Sequence, residues 1–219
     1  MLEKIADYIR NNKNIIKKEG LNPIVRFISK NSFKSPRIFS DIGQDSAAIY
    51  NNNDMYTLVT TDRIKTIYIE KFPFGAGFSS ILVGIDDIYA CGGTPLAATI
   101  IISFKDQNIG QKMIQGICEG SNKFKVPIIR GHTNVGDYYE LSSTLIGEIK
   151  SSDYIPADNA QRSDDIILAV DFDGQLGRAS NLHWDTVTQK SSKDILNKRE
   201  AMKVIAKQHL ANSSKDVSN

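Results

Sequence analysis

Four charged segments, each set beside a hydrophobic run, constrain this chain more than any other feature. They are Asp41-Ile-Gly-Gln-Asp45-Ser-Ala-Ala48, Thr60-Thr-Asp62, Asp86-Asp-Ile-Tyr-Ala-Cys-Gly-Gly93 followed by Thr94-Pro95-Leu96, and Arg130-Gly-His-Thr-Asn134. A carboxylate at the end of a buried element is costly unless something positive meets it. One shared cation site, most simply magnesium carrying a nucleotide, would meet that need.

The hydrophobic runs between these segments alternate between strand and helix spacing. Leu2 to Lys18 has its apolar residues at helical intervals, and Gly20-Leu-Asn-Pro23 ends that helix. Pro23 to Lys30 reads as a second short helix. Ala47 to Tyr50 and Tyr56 to Thr61 read as strands joined by the polar turn Asn51 to Asp54, with a further strand over Ile64 to Ile69. Pro73, Gly75 and Gly77 mark a loop. Phe78, Ile81, Leu82, Ile85 and Ile88 define the apolar face of a helix over Ala76 to Ala90, which Gly92-Gly93 terminates. Leu96 to Phe104 is a strand, Asn108 to Lys123 a helix, and Val126 to Ile129 and Glu140 to Ile149 are strands. Residues 1–150 thus form one α+β unit, a mixed sheet with flanking helices.

The composition shifts after Lys150. Ser151 to Pro156 reads as a linker, Asp165 to Val170 as a new strand, and Ser191 to Leu210 as a charged helix. Residues 151–219 are therefore expected to be a linker and the incomplete beginning of a second, α/β domain, and the chain reads as a fragment of something longer. About 65 residues is marginal for an independent domain.

Bulk properties exclude some partners. The formal charge of +2 is too small to point to nucleic acid. Its apolar runs stop short of the ~20 residues of a membrane helix. The two cysteines, Cys91 and Cys118, fit neither a disulfide framework nor a zinc site, and read as reduced thiols of a cytoplasmic protein.

Each segment has a functional and a plain reading. Asp86 and Asp87 fall near a helix C-terminus, where the dipole disfavours carboxylates and a cation would help; they could equally be solvated acids. Asp62 with Thr60 and Thr61 offers oxygen ligands to a hard cation, or simply bounds a strand. Asp41 and Asp45 flank Gly43 in a loop, where aspartate also serves turns. Gly131, next to His132 and Thr133, lets the backbone approach a phosphate, although a lone histidine is commonly structural. His183, Trp184, Asp185 and His209 read as structural. No P-loop is present, and Gly75-Ala-Gly-Phe-Ser-Ser80 lacks the third glycine of a dinucleotide fingerprint.

In order, the four segments resemble the aminoimidazole ribonucleotide (AIR) synthetase superfamily, which includes thiamine-monophosphate kinase, selenophosphate synthetase and an ATP-binding hydrogenase maturation dehydratase. Its members carry Gly-Asp-Asp-Ala-Ala, Thr-Thr-Asp, Ser-Asp-Ile-Ala-Ala-Met-Gly-Gly-x-Pro-Leu and Gly-Gly-Asp-Thr. Here these read Gly43-Gln-Asp-Ser-Ala47, Thr60-Thr-Asp62, Asp86 to Leu96, and Arg130-Gly-His-Thr133. The third is the most specific, and the match spans about residues 38 to 150. Lys215-Asp-Val-Ser218 resembles the opening of the family's second-domain Asp-x-Ser motif.

The resemblance implies an AIR synthase N-terminal-like domain that forms a homodimer, its sheet joining its twin's into a barrel. ATP with Mg2+ would bind at that interface. By motif position Asp45, Asp62 and Asp87 would hold the metal. Gly43, Asp45, Thr60, Thr61, Gly92, Gly93, Gly131, His132 and Thr133 would contact the nucleotide. The implied activity is phosphoryl transfer to, or ATP-dependent activation of, a small molecule, with no nucleic acid or membrane partner; a non-catalytic nucleotide-binding or assembly protein is the alternative. Gln44 and His132 replace two of the family's acids, Arg130 replaces a common glycine and Gly84 the usual asparagine. Residues 64–72 lack the histidine of the thiamine kinase pattern. The chain is therefore more similar to the uncharacterised synthetase-related branch, which includes a methanogenesis-marker group.

Overall fold

The computed structural model describes residues 1–177 and 184–217. His183 and Ser218, singled out above, lie outside the described residues. Three short helices come first: α1 (Leu2–Arg10), α2 (Lys13–Glu19) and α3 (Asn22–Asn31). The single helix expected over Leu2 to Lys18 is two. It breaks at Asn11, whose side-chain amide donates to the Asp7 carbonyl at 2.8 Å and closes the first helix. Neither α1 nor α3 buries a residue.

The body of the fold is a six-stranded mixed sheet. Its strands are β1 (Ile38–Ser40), β2 (Ala47–Tyr50), β3 (Met55–Arg63), β4 (Thr94–Phe104), β5 (Ile128–Val135) and β6 (Glu140–Lys150), in the order β1-β2-β3-β6-β4-β5. Neighbours are antiparallel except β4 and β5, which are parallel. Parallel pairing needs a crossover, and α6 (Gln107–Phe124) supplies it. On β3, Tyr56, Leu58 and Thr60 are buried on one face while Thr57, Val59 and Thr61 occupy the other. The period of two makes these assignments unavoidable once Leu58 faces the core.

Two long helices cover that buried face. Helix α5 (Pro73–Ala90) places Ile81, Ile85 and Ile88 in the core with Leu58, Leu141, Leu145 and Ile149 of the sheet. Helix α6 lies against α5 at unusually close range. A Cβ built on Gly77 would sit 2.0 Å from the Met113 carbonyl oxygen, and one on Gly116 would sit 2.0 Å from the Phe74 carbonyl oxygen. Pro73, Gly75 and Gly77 were expected in a loop. They form the first turns of α5, because proline suits a first helical position and Gly77 admits the backbone of α6.

Other expectations shift as well. Ile64 to Ile69, read as a strand from its β-branched residues, contains helix α4 (Thr66–Lys71). Burial of Ile64 and Ile69, with Ile67 56% exposed, breaks the alternation a strand would need. Strand β5 runs later than the expected Val126 to Ile129, because its register is set by β4, out to Phe104 opposite Val135. Gly131, His132 and Thr133 thus lie within a strand. No strand forms over Asp165 to Val170, and Ile166, Ile167 and Leu168 are exposed.

After the turn Ser151–Asp153 the chain returns to the same core. A small ribbon pairs β7 (Gln175–Leu176) with β8 (Trp184–Asp185). Helix α7 (Ser192–Lys207), capped by Ser191, buries Ile195 and Ala206 in the core that holds α5 and α6. Arg199 on α7 makes a two-pronged bond to Asp86 (2.6 and 3.1 Å) and lies over the Phe124 ring. No helix among the described residues is long and apolar enough to cross a membrane.

Candidate functional site

Four stretches of chain meet at one end of the sheet. Thr60 and Asp62 are two residues apart on β3, so both face the helix layer. Asp87 comes to them from α5, where the Thr60 hydroxyl donates to its Oδ2 at 2.6 Å. The loop between β1 and β2 brings Asp45. The segment after α7 brings Lys215 and Asp216. Together with Asp41, Gln44 and Thr61 these residues line a cleft of about 490 Å³.

The neighbouring aspartates of α5 divide their duties. Successive helix residues point about 100° apart, so Asp87 faces the cleft while Asp86 turns to Arg199. Burial raises the Asp86 pKa, with Arg199 opposing. Asp87 is pushed up to about 7, first by burial, against the Thr60 hydrogen bond and with help from the charges of Asp62 and Asp216. Asp45 is also raised, again chiefly by burial, against its bonds to Lys215 and to the Asp216 backbone.

Carboxylate oxygens of Asp45, Asp87 and Asp216 all lie within 4.8 Å of one another. Such a set of charged oxygens, with Asp62 beside it in the same cleft, suits a hard divalent cation such as Mg2+ and offers no soft ligand.

Of the residues singled out from sequence, Asp45, Thr60, Thr61, Asp62 and Asp87 line this cleft. Gly43 lies in the same loop, at φ +101° with open space where a side chain would project. Gly92 and Gly93 are buried in the turn after α5. Gly92 has φ +81° and packs against Ala206; Gly93 packs against Leu58 and Ile88. Gly131, His132 and Thr133 are exposed on β5, three strands from β3. At the usual strand spacing that is roughly 14 Å across the sheet. Asp41 accepts the Ile42 backbone N–H at 2.7 Å, as turn chemistry requires. Gln44 accepts the Ala157 backbone N–H at 2.6 Å and so faces residues 151–159 as well as the cleft.

Asp216 and Lys215 were missed as site residues. The Asp-x-Ser pattern around Asp216 marked the segment, but nothing local shows that it returns to Asp45, 171 residues away.

Fold and cleft together define an α+β domain with a carboxylate-lined cleft at one end of its sheet. Residues 43–149 match the family described as AIR synthase related protein, N-terminal domain. An uncharacterised protein of Methanocaldococcus jannaschii is 36% identical over 220 residues, covering 100% of this chain and 68% of its own length. The chain belongs to the AIR synthase related family. An uncharacterised protein of Synechocystis sp. is 32% identical over 81% of this chain and 54% of its own. Thiamine-monophosphate kinase of M. jannaschii is 29% identical over 57% of this chain and 41% of its own. Among solved structures, T. maritima PurL complexed with ADP matches with TM-score 0.61 and 14% identity, over 83% of this chain and 30% of that one. AaThiL complexed with AMPPCP and TMP matches with TM-score 0.53 and 21% identity, over 65% and 44%. These two show a shared fold. Family relatives also include selenide, water dikinase, so ATP-dependent phosphoryl transfer is supported at the level of the superfamily.

Proposed function

We propose that the chain is part of an ATP- and Mg2+-dependent enzyme that transfers a phosphoryl group to, or activates with ATP, a small polar molecule. The observation that carries this reading is the cluster of Asp45, Asp87 and Asp216, with Asp62 beside it, in a chain of this family. The metal would supply charge neutralisation for the nucleotide's phosphates. Asp62, Asp87 and Asp216 would hold it, and Asp45 completes the acidic set. The Thr60 hydroxyl fixes the orientation of Asp87. Thr61, whose hydroxyl lies 2.9 Å from that of Thr144, presents a polar surface on the opposite face of β3.

The chain covers 68%, 54% and 41% of the relatives described above, so its full activity and substrate belong to this proposal. Residues 151–219 would be the linker and the opening of a second domain. The proposed homodimer would form at β5, all of whose residues are exposed, with Ile129 at 60% and Val135 at 62%. It would continue the sheet into a barrel and bring Gly131, His132 and Thr133 to the interface, where a partner's nucleotide could meet them.

Calorimetric titration with ATP and Mg2+ tests the reading. Binding should require Mg2+ and should weaken at least about tenfold in Asp62→Ala, since a lost charged ligand is worth more than 1.4 kcal/mol. Unchanged affinity in that variant would contradict it. A non-catalytic nucleotide-binding role is the second reading, favoured by neutral Gln44 occupying the position of a family acid. Binding of ATP with no ADP formed, whatever acceptor is supplied, would support it.

A further inference from the structure

The acidic cleft already receives one positive charge from the chain itself. After α7, the Leu210 N–H bonds the Ile205 carbonyl (3.0 Å) and the Ser214 N–H bonds the Pro156 carbonyl (3.1 Å), which aims the next residues at the cleft. The Lys215 ammonium bonds Asp45 Oδ1 and also Asp216 Oδ1 at 3.1 Å. The Asp216 backbone N–H takes the other Asp45 oxygen at 2.9 Å. Both oxygens of Asp45 therefore meet protein donors, and its side chain is only 2% exposed. The Lys215 side chain is half exposed, with its charged end on the acids and its stem at the rim. Burial lowers the ammonium's pKa, but the bonds to Asp45 and Asp216 outweigh it and leave it raised.

Charge decides what this implies. Asp45, Asp62, Asp87 and Asp216 carry four negative charges when ionised, enough to balance two divalent ions. A lysine among them removes one, and lies directly on the acid that the family resemblance would give to a metal. Gln44 acts in the same direction, because it stands where the family motif has a further acid. A divalent ion pressed against a fixed ammonium at this range would be repelled, by several kcal/mol at the effective dielectric of a protein surface.

We propose that Lys215 fills one cation position of the cluster, so that the chain binds one divalent ion, at Asp62, Asp87 and Asp216, where the bare carboxylates would bind two. This rests on the metal-site reading of the previous section. Lys215 is then a residue that sets metal number, and through it the charge presented to a phosphate.

The test is Mn2+ binding to the whole chain without nucleotide, followed by the electron paramagnetic resonance of the free ion. The wild type should bind one ion tightly and Lys215→Arg should do the same. Lys215→Met and Lys215→Gln should bind a second ion, more weakly than the first because the two divalent charges repel. Thermal melts by circular dichroism check that both neutral variants are folded. One ion in the wild type and still one in both neutral variants would overturn the role of Lys215 while leaving the metal site standing. Two ions in the wild type would also overturn it. No binding by any of the four proteins would overturn the metal-site reading itself.

Discussion

Asp87→Asn should abolish most Mg2+-dependent nucleotide binding, by about 100-fold or more. Removing an anionic partner of a partly buried, bound cation leaves part of the ion's charge uncompensated, a loss of ~3–5 kcal/mol. The amide keeps the shape of the carboxylate and can still accept the Thr60 hydroxyl, so the loss would report charge and not packing. The same substitution should change how the metal-free chain responds to pH. Asp87 has a folded pKa of about 7 against an ordinary value of 3.8. Between those values the folded state holds a proton that the unfolded state has released. The stabilisation is therefore fully present below about pH 4 and is lost as pH rises through about 7. Asp45, raised in the same direction, adds to this slope. Thermal melts of the metal-free wild type should show stability falling over that window, and Asp87→Asn should flatten the curve. A metal must displace the proton, so Mg2+ affinity should be roughly tenfold weaker at pH 6 than at pH 8. A Mg2+ affinity independent of pH in the wild type would contradict the assignment of Asp87.

Gly77→Ala should destabilise the chain by about 3 kcal/mol or more, near the upper end for overpacked cores. The added methyl would meet the Met113 carbonyl oxygen at 2.0 Å and the Ile117 backbone nitrogen at 2.9 Å. Both are backbone atoms of α6, so relief requires the whole helix to move. In a chain of this size that loss lowers Tm by roughly 6–12 °C. Gly84→Ala is the control. The nearest atoms to its methyl belong to the Leu145 side chain, Cδ1 at 2.7 Å and Cβ and Cγ at 3.2 Å, so relief needs a shift of one side chain and not of a helix. Alanine also favours the helix over glycine, so the net cost should be about 1 kcal/mol or less. Equal melting temperatures for Gly77→Ala and wild type would show that α5 and α6 do not approach as closely as described.

The two glycines also show where sequence reasoning stops. Gly77 reads as loop because nothing local announces that a second helix will lie against it; the atom that requires a glycine there is the carbonyl oxygen of Met113, 36 positions away. The apolar face Phe78, Ile81, Ile85, Ile88 was legible, since helical spacing needs no partner to be seen. So was the approach of Asp62 to Asp87, though only through the order of motifs; taken alone, each acid had an ordinary explanation. Asp41 kept that ordinary explanation, bonding its own turn. The β-branched run Ile64 to Ile69 misled because the ladder with β6 ends at Arg63 opposite Ser142, with one further bond from the Ile64 N–H to the Leu141 carbonyl (2.9 Å), and the chain then turns into α4. Lys215 and Asp216 were out of reach for a different reason. Their contact with Asp45 depends on where α7 docks, and α7 docks through Arg199, Ile195 and Ala206, none of which carries a site signature.

The most direct test is to see the ion. Crystals grown with Mn2+ and ADP should give an anomalous scattering peak among the carboxylates of Asp62, Asp87 and Asp216, beside the nucleotide's phosphates. Nucleotide density without that peak, or Mn2+ found only away from these three aspartates, would contradict the cation site on which the proposed function depends.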